Sequence, residues 1–91
     1  MSFLLKGDYP KALEYYNRSL IIAEGIGSKQ DISNVINNIG NIYSDQGNHS
    51  KALKYFNRSL KIKEEIGDKR TMANILSNIG VIYAEQNNYL K

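Results

Sequence analysis

The side chains in this sequence best equipped for chemistry are carboxamides. Asn34, Asn37, Asn38 and Asn41 lie close together, and Asn74 and Asn78 stand 40 positions after Asn34 and Asn38. Each amide offers a donor and an acceptor on a short stem. A set of them can hold a peptide backbone whatever its side chains are. Groups that move protons or attack bonds are sparse. His49 is the one histidine, and it sits at a helix start where packing explains it. Ser19 and Ser59 occupy small-residue positions, where close helix contact is a sufficient reason. Glu64 and Glu65 are adjacent, so on a helix they point apart and form no acid pair. The glycines are spaced singly rather than gathered into a phosphate loop. With no cysteine, disulfides, Cys-ligated zinc and a Cys nucleophile are excluded. No catalytic, metal or cofactor site is expected, and the chain reads as non-enzymatic.

The elements that carry these amides come from a repeat. GDYPKALEYYNRSL at Gly7–Leu20 returns as GNHSKALKYFNRSL at Gly47–Leu60, 40 residues later. At the same offset NVINNIGNIY (Asn34–Tyr43) returns as NILSNIGVIY (Asn74–Tyr83). Self-similarity at a fixed period of this length marks a stacked-repeat architecture.

Each segment has a helical period. Ala12, Leu13, Tyr16, Leu20 and Ala23 recur at spacings of three and four, which predicts a helix from Lys11 to about Ile26. Asp8 is its N-cap, and Pro10 suits a first turn. Gly27 stops this helix, and Ser28 with Asp31 resembles a capping box that starts the next. Gly67 and Asp68 repeat that punctuation.

The second helix is predicted over Gln30 to about Gln46. At 100° per residue, Ile32, Val35, Ile36, Ile39, Gly40, Ile42 and Tyr43 share one arc. Asn34, Asn37, Asn38, Asn41, Ser44 and Asp45 share the opposite one. Gly40 costs about 1 kcal/mol against Ala in a helix interior, so its return as Gly80 suggests a close helix neighbour. Two further helices are expected, Ser50 to about Ile66 and Arg70 to about Gln86. Asn87 and Asn88 stand where the earlier breaks were. Tyr16, Tyr43, Phe56 and Tyr83 are expected in the core, with Tyr15 and Tyr55 packing between repeats.

Composition fits this reading. The chain has 91 residues, 42% hydrophobic and 23% charged. A lone globule of this size buries only roughly 60–65% of its extended-chain surface, so helix packing or neighbours must supply stability. Net charge is +3, but Lys and Arg are interspersed with acids. Lys54, Arg58 and Lys61 share a face that Glu65 closes. A solvated outer face explains them, and no nucleic-acid partner is expected. No apolar run approaches the roughly 18 residues needed to cross a membrane. The cytoplasm is the expected location, and no membrane partner is expected.

Taken together, these residues resemble the tetratricopeptide repeat, which stacks antiparallel helix pairs, A then B, into a right-handed superhelix. Ile36, Ile39, Gly40 and Tyr43 match the helix-A pattern, as do Leu76, Ile79, Gly80 and Tyr83. Gly7, Tyr9, Ala12 and Tyr16 match the turn and helix B; so do Gly47, Ala52 and Phe56, with His49 in the Tyr place. The period of 40 instead of 34 is similar to that of Pins-like adaptors and bacterial regulators with these repeats. The fold expected is therefore all-α, a solenoid fragment in helix order B-A-B-A. Residues 1–91 form one unit, with repeats at about 7–46 and 47–86 and partial unit ends at 1–6 and 87–91.

The resemblance implies a protein or peptide partner, bound along the concave helix-A face. Asn34, Asn38, Asn41, Asn74 and Asn78 would lie on or beside that face; their amides could instead bond between repeats. The carboxylate clamp of chaperone-binding members does not carry over. Asn37 and Ser77 replace its Lys, and Asn38 and Asn78 replace its Arg. The alternative function is self-association into a homo-oligomer through uncapped repeat ends, with Leu4, Leu5, Ile21, Tyr89 and Leu90 as the contact residues. Its form could be a dimer, a helix-swapped dimer or a head-to-tail stack. A helical RNA-binding repeat is disfavoured, because the helix-A face lacks Lys and Arg.

Overall fold

The computed structural model describes residues 8–90, with side chains up to Gln86. Among the described residues four helices follow one another: α1 (Tyr9–Ile26), α2 (Lys29–Asp45), α3 (His49–Ile66) and α4 (Lys69–Leu90). The fold is all-α, each helix packing on the next in sequence.

The turns follow from local chemistry. Gly27, Gly47 and Gly67 adopt φ of 81°, 79° and 86°, the left-handed region where a Cβ is penalised. At each of these breaks the chain folds back onto its helix. Gly27 N–H donates to Ala23 O at 2.9 Å, Asn48 N–H to Tyr43 O at 2.9 Å, and Gly67 N–H to Lys63 O at 2.9 Å. The next helix then starts on a side-chain acceptor. Ser28 Oγ accepts from Asp31 N–H at 3.2 Å, Asn48 Oδ1 from Lys51 N–H at 3.3 Å, and Asp68 Oδ1 from Thr71 N–H at 3.2 Å. Asp8 occupies the N-cap of α1 without a capping hydrogen bond. Pro10, at the second helical position, has removed one of the two N–H groups a cap can serve.

The core lies along α2, α3 and α4. Ile36 and Ile39 of α2, Ala52 and Phe56 of α3, and Ile75 and Ile82 of α4 are buried. Tyr43, Leu53, Leu60 and Ile79 pack at the edge of the α3–α4 cluster. Three contacts fix how α2 meets α3. Ser59 Oγ donates to Ser33 O at 2.8 Å. A Cβ on Gly40 would lie 2.9 Å from the Phe56 ring. The Tyr43 and Tyr55 rings stack, with centroids 5.6 Å apart and planes 14° apart. Position numbers rise on α2 as they fall on α3, so the pair is antiparallel.

Several expectations need correction. Tyr83 is not in the core but 54% exposed, and Leu76 is 53% exposed where Ile36 is fully buried. A Cβ on Gly80 would meet nothing within 4 Å. The reason is common to all three: α3 covers this face of α2, and no described helix covers it on α4. Tyr15 is likewise exposed, whereas Tyr55 has the Tyr43 ring beside it. Finally, α4 runs through Asn87 and Asn88 to Leu90 without a break. Asn enters the left-handed region at a cost that Gly avoids, and no non-glycine residue among those described takes positive φ.

Candidate functional site

The amide row of α2 is built by helical spacing alone. Asn34, Asn38 and Asn41 stand at i, i+4 and i+7, and Asn74 and Asn78 at i and i+4 on α4. Asn41 and Asn74 are exposed; Asn38 and Asn78 are half-buried. Asn37, beside them, has its Oδ1 buried without a hydrogen-bond partner. Asn34 is exposed but engaged: its Oδ1 accepts from Lys63 Nζ at 2.8 Å. Leu4 and Leu5 lie outside the described residues, as do the side chains of Tyr89 and Leu90. Ile21 is 69% exposed on α1.

Lys63 is the residue that sequence reasoning missed. Its side chain is completely buried, with Asn34 on one side and Asp68 Oδ2 at 3.6 Å on the other. A signal was present: Lys63 aligns with Ala23, a member of the apolar row and itself buried. The position faces inward in both copies. Asp68 therefore serves twice, capping α4 and facing the Lys63 ammonium. The Thr71 backbone N–H, and next its hydroxyl, hold the Asp68 carboxyl below the usual carboxylate range. Partial burial opposes them; the Gln30 side chain and the Lys63 charge lower it further.

His49 is mostly buried, with Nε2 3.2 Å from Glu85 Oε1, which fastens the start of α3 to α4. No group of three or more metal-binding side chains is assembled among the described residues. Nor is any described helix long and apolar enough to cross a membrane.

A second surface lies apart from the amides. A shallow cleft of about 380 Å³ is lined by Glu64, Gly67, Lys69, Met72, Ala73 and Leu76. Its α4 residues correspond, 40 positions on, to Ile32, Ser33 and Ile36 of α2. Leu76 and Tyr83 extend exposed apolar surface along this side of α4, and Ile21, Ile22 and Ile26 are exposed on α1; Val81, 40 positions after Asn41, lies on the amide side instead. The arrangement offers amide hydrogen bonding on one surface and apolar burial on the other.

Comparison with known proteins agrees with the helical-repeat fold. The family model described as tetratricopeptide repeat matches the chain twice, over residues 1–65 and 31–91. No curated protein gave a significant match, and no solved structure did.

Proposed function

The chain belongs to the tetratricopeptide repeat family, and from that premise we propose that it is a protein-interaction scaffold whose helix-A face, on α2 and α4, takes a peptide or partner segment. The repeats of this family mediate protein–protein contacts and are not enzymes. The observation that carries the reading is the row of amides at helical spacing, with Asn41 and Asn74 exposed and Asn38 and Asn78 half-buried. Asn34 keeps its N–H₂ group for a partner while Lys63 occupies its oxygen. Amides rather than Lys or Arg populate the face, which favours an extended peptide over nucleic acid. A cysteine-free chain suits such a role in the cytoplasm.

The test is a peptide selected by display against the 91-residue chain. Replacing Asn38, Asn41 and Asn78 together by Ala should weaken its binding at least about tenfold, one lost hydrogen bond to a buried partner being worth about 1–3 kcal/mol. Undiminished binding by a folded triple variant would remove the amides from the site.

A second reading, self-association, is favoured by a different observation. Leu76 and Tyr83 leave an apolar face of α4 open, and a repeat buries such a face only against a neighbour.

A further inference from the structure

We propose that the open face of α4 receives α1 of a second copy of this chain, so that copies join head to tail. This rests on the self-association reading and narrows it to one pair of surfaces.

The chain contains its own template for the joint. Three contacts define how α3 covers α2: Tyr43 on Tyr55, Gly40 under Phe56, and Ser33 against Ser59. Forty positions after the α2 members stand Tyr83, Gly80 and Ala73, all on α4. Forty positions before the α3 members stand Tyr15, Tyr16 and Ser19, all on α1. Every pairing therefore has a chemically matching counterpart: two tyrosine rings to stack, an aromatic ring over a glycine, and two small residues at the closest approach.

Among the described residues, both halves of the joint are open within one copy. Tyr83 is 54% and Tyr15 57% exposed. Ser19 is exposed where Ser59 is buried, Tyr16 is half-buried where Phe56 is buried, and Gly80 has empty space above it where Gly40 has a ring. The two faces differ, one offering glycine and the other the ring that fits it. Such a contact is heterologous and propagates, rather than closing into a two-fold dimer. Two further α2–α3 contacts have no counterpart in the joint. Gly25 replaces Glu65, whose carboxylate lies 3.4 Å from Lys29 Nζ, and Ala23 replaces Lys63, so nothing on α1 reaches Asn74 as Lys63 reaches Asn34. The joint is accordingly weaker than the internal α2–α3 contact and leaves Asn74 free.

The cysteine-free chain allows a direct test. Ser19→Cys and Ala73→Cys variants, made separately and mixed, are treated with a short bis-maleimide crosslinker while sedimentation measures mass across concentration. The expected result is association with concentration, and a mixed Ser19→Cys to Ala73→Cys product exceeding either homodimer. In parallel, Gly80→Ala should keep the helical fold yet weaken association about tenfold, since the added methyl meets Tyr16 in the joint. Association with mainly Ala73→Cys homodimers would overturn the proposed joint while leaving self-association standing. So would association unaffected by Gly80→Ala. A chain that stays monomeric throughout would overturn both.

Discussion

Gly40 and Gly80 occupy the same place in two copies of one sequence, yet the same substitution should have opposite effects at the two sites. Both are helical and neither has positive φ, so Ala gains about 1 kcal/mol of helix propensity at either. At Gly80 nothing opposes that gain, because the new Cβ meets nothing within 4 Å. At Gly40 the Cβ would lie 2.9 Å from Cδ1 and Cε1 of Phe56 and 3.3 Å from Cζ. Phe56 is itself buried at the centre of the α3–α4 cluster, so its ring cannot swing into solvent. Overpacking of this kind costs about 1–3 kcal/mol. Gly80→Ala should therefore stabilise the single copy by about 1 kcal/mol, and Gly40→Ala should be neutral or destabilise by up to about 2 kcal/mol. The assay is urea unfolding followed by circular dichroism at 222 nm, at protein concentrations where the chain is monomeric. If Gly40→Ala raises the midpoint as much as Gly80→Ala, the close packing of Phe56 on α2 is wrong.

Other outcomes follow from the same contacts. The Asp68 carboxyl is held below its ordinary range, so its contribution is present above about pH 4 and is lost as pH falls through the folded-state value. Asp68→Asn, which can still cap α4, should flatten the fall in urea midpoint on acidification; an unchanged slope would place the acid sensitivity elsewhere. Lys63→Met keeps the length of a buried side chain while removing its charge, and Asn34 and Asp68 both retain water contact. Stability should hold or rise by about 1 kcal/mol, whereas Lys63→Ala should cost about 2 kcal/mol through the cavity; a large loss in the Met variant would show that the ammonium, not the packing, matters. Gly67→Ala forces a Cβ into φ of 86° and should destabilise by about 1 kcal/mol, readable as a lower thermal midpoint.

Most of the architecture was legible because punctuation and period agree. Each helix stop is a lone glycine followed by an oxygen-bearing side chain, and each helix carries apolar residues at three and four. What the period could not convey is that equivalent positions need equivalent neighbours. Tyr83 and Leu76 carry the same pattern as Tyr43 and Ile36, but a pattern names an inward face without supplying the helix that covers it. Lys63 was passed over for a related reason. A charge suggests solvent, although alignment with Ala23 points inward, and the carboxamide and carboxylate that make burial tolerable come from α2 and from the turn before α4. Among the amides, spacing set the row on α2, but only the fold shows Asn34 engaged by Lys63. The helix break expected at Asn87 and Asn88 rested on tolerance of the left-handed region, which is weaker than a requirement for it.

If the helix-A amides are the contact surface for a protein partner, their own signals must respond to it. A ¹⁵N-correlated NMR titration of the chain with a display-selected peptide reads this through the side-chain N–H₂ signals of its asparagines. Those of Asn38, Asn41, Asn74 and Asn78 should shift together and saturate together, while the guanidinium signals of Arg18 and Arg58 on α1 and α3 stay in place. Shifts confined to α1 and α3, with the α2 and α4 amides unmoved, would rule out the amide face as the binding surface.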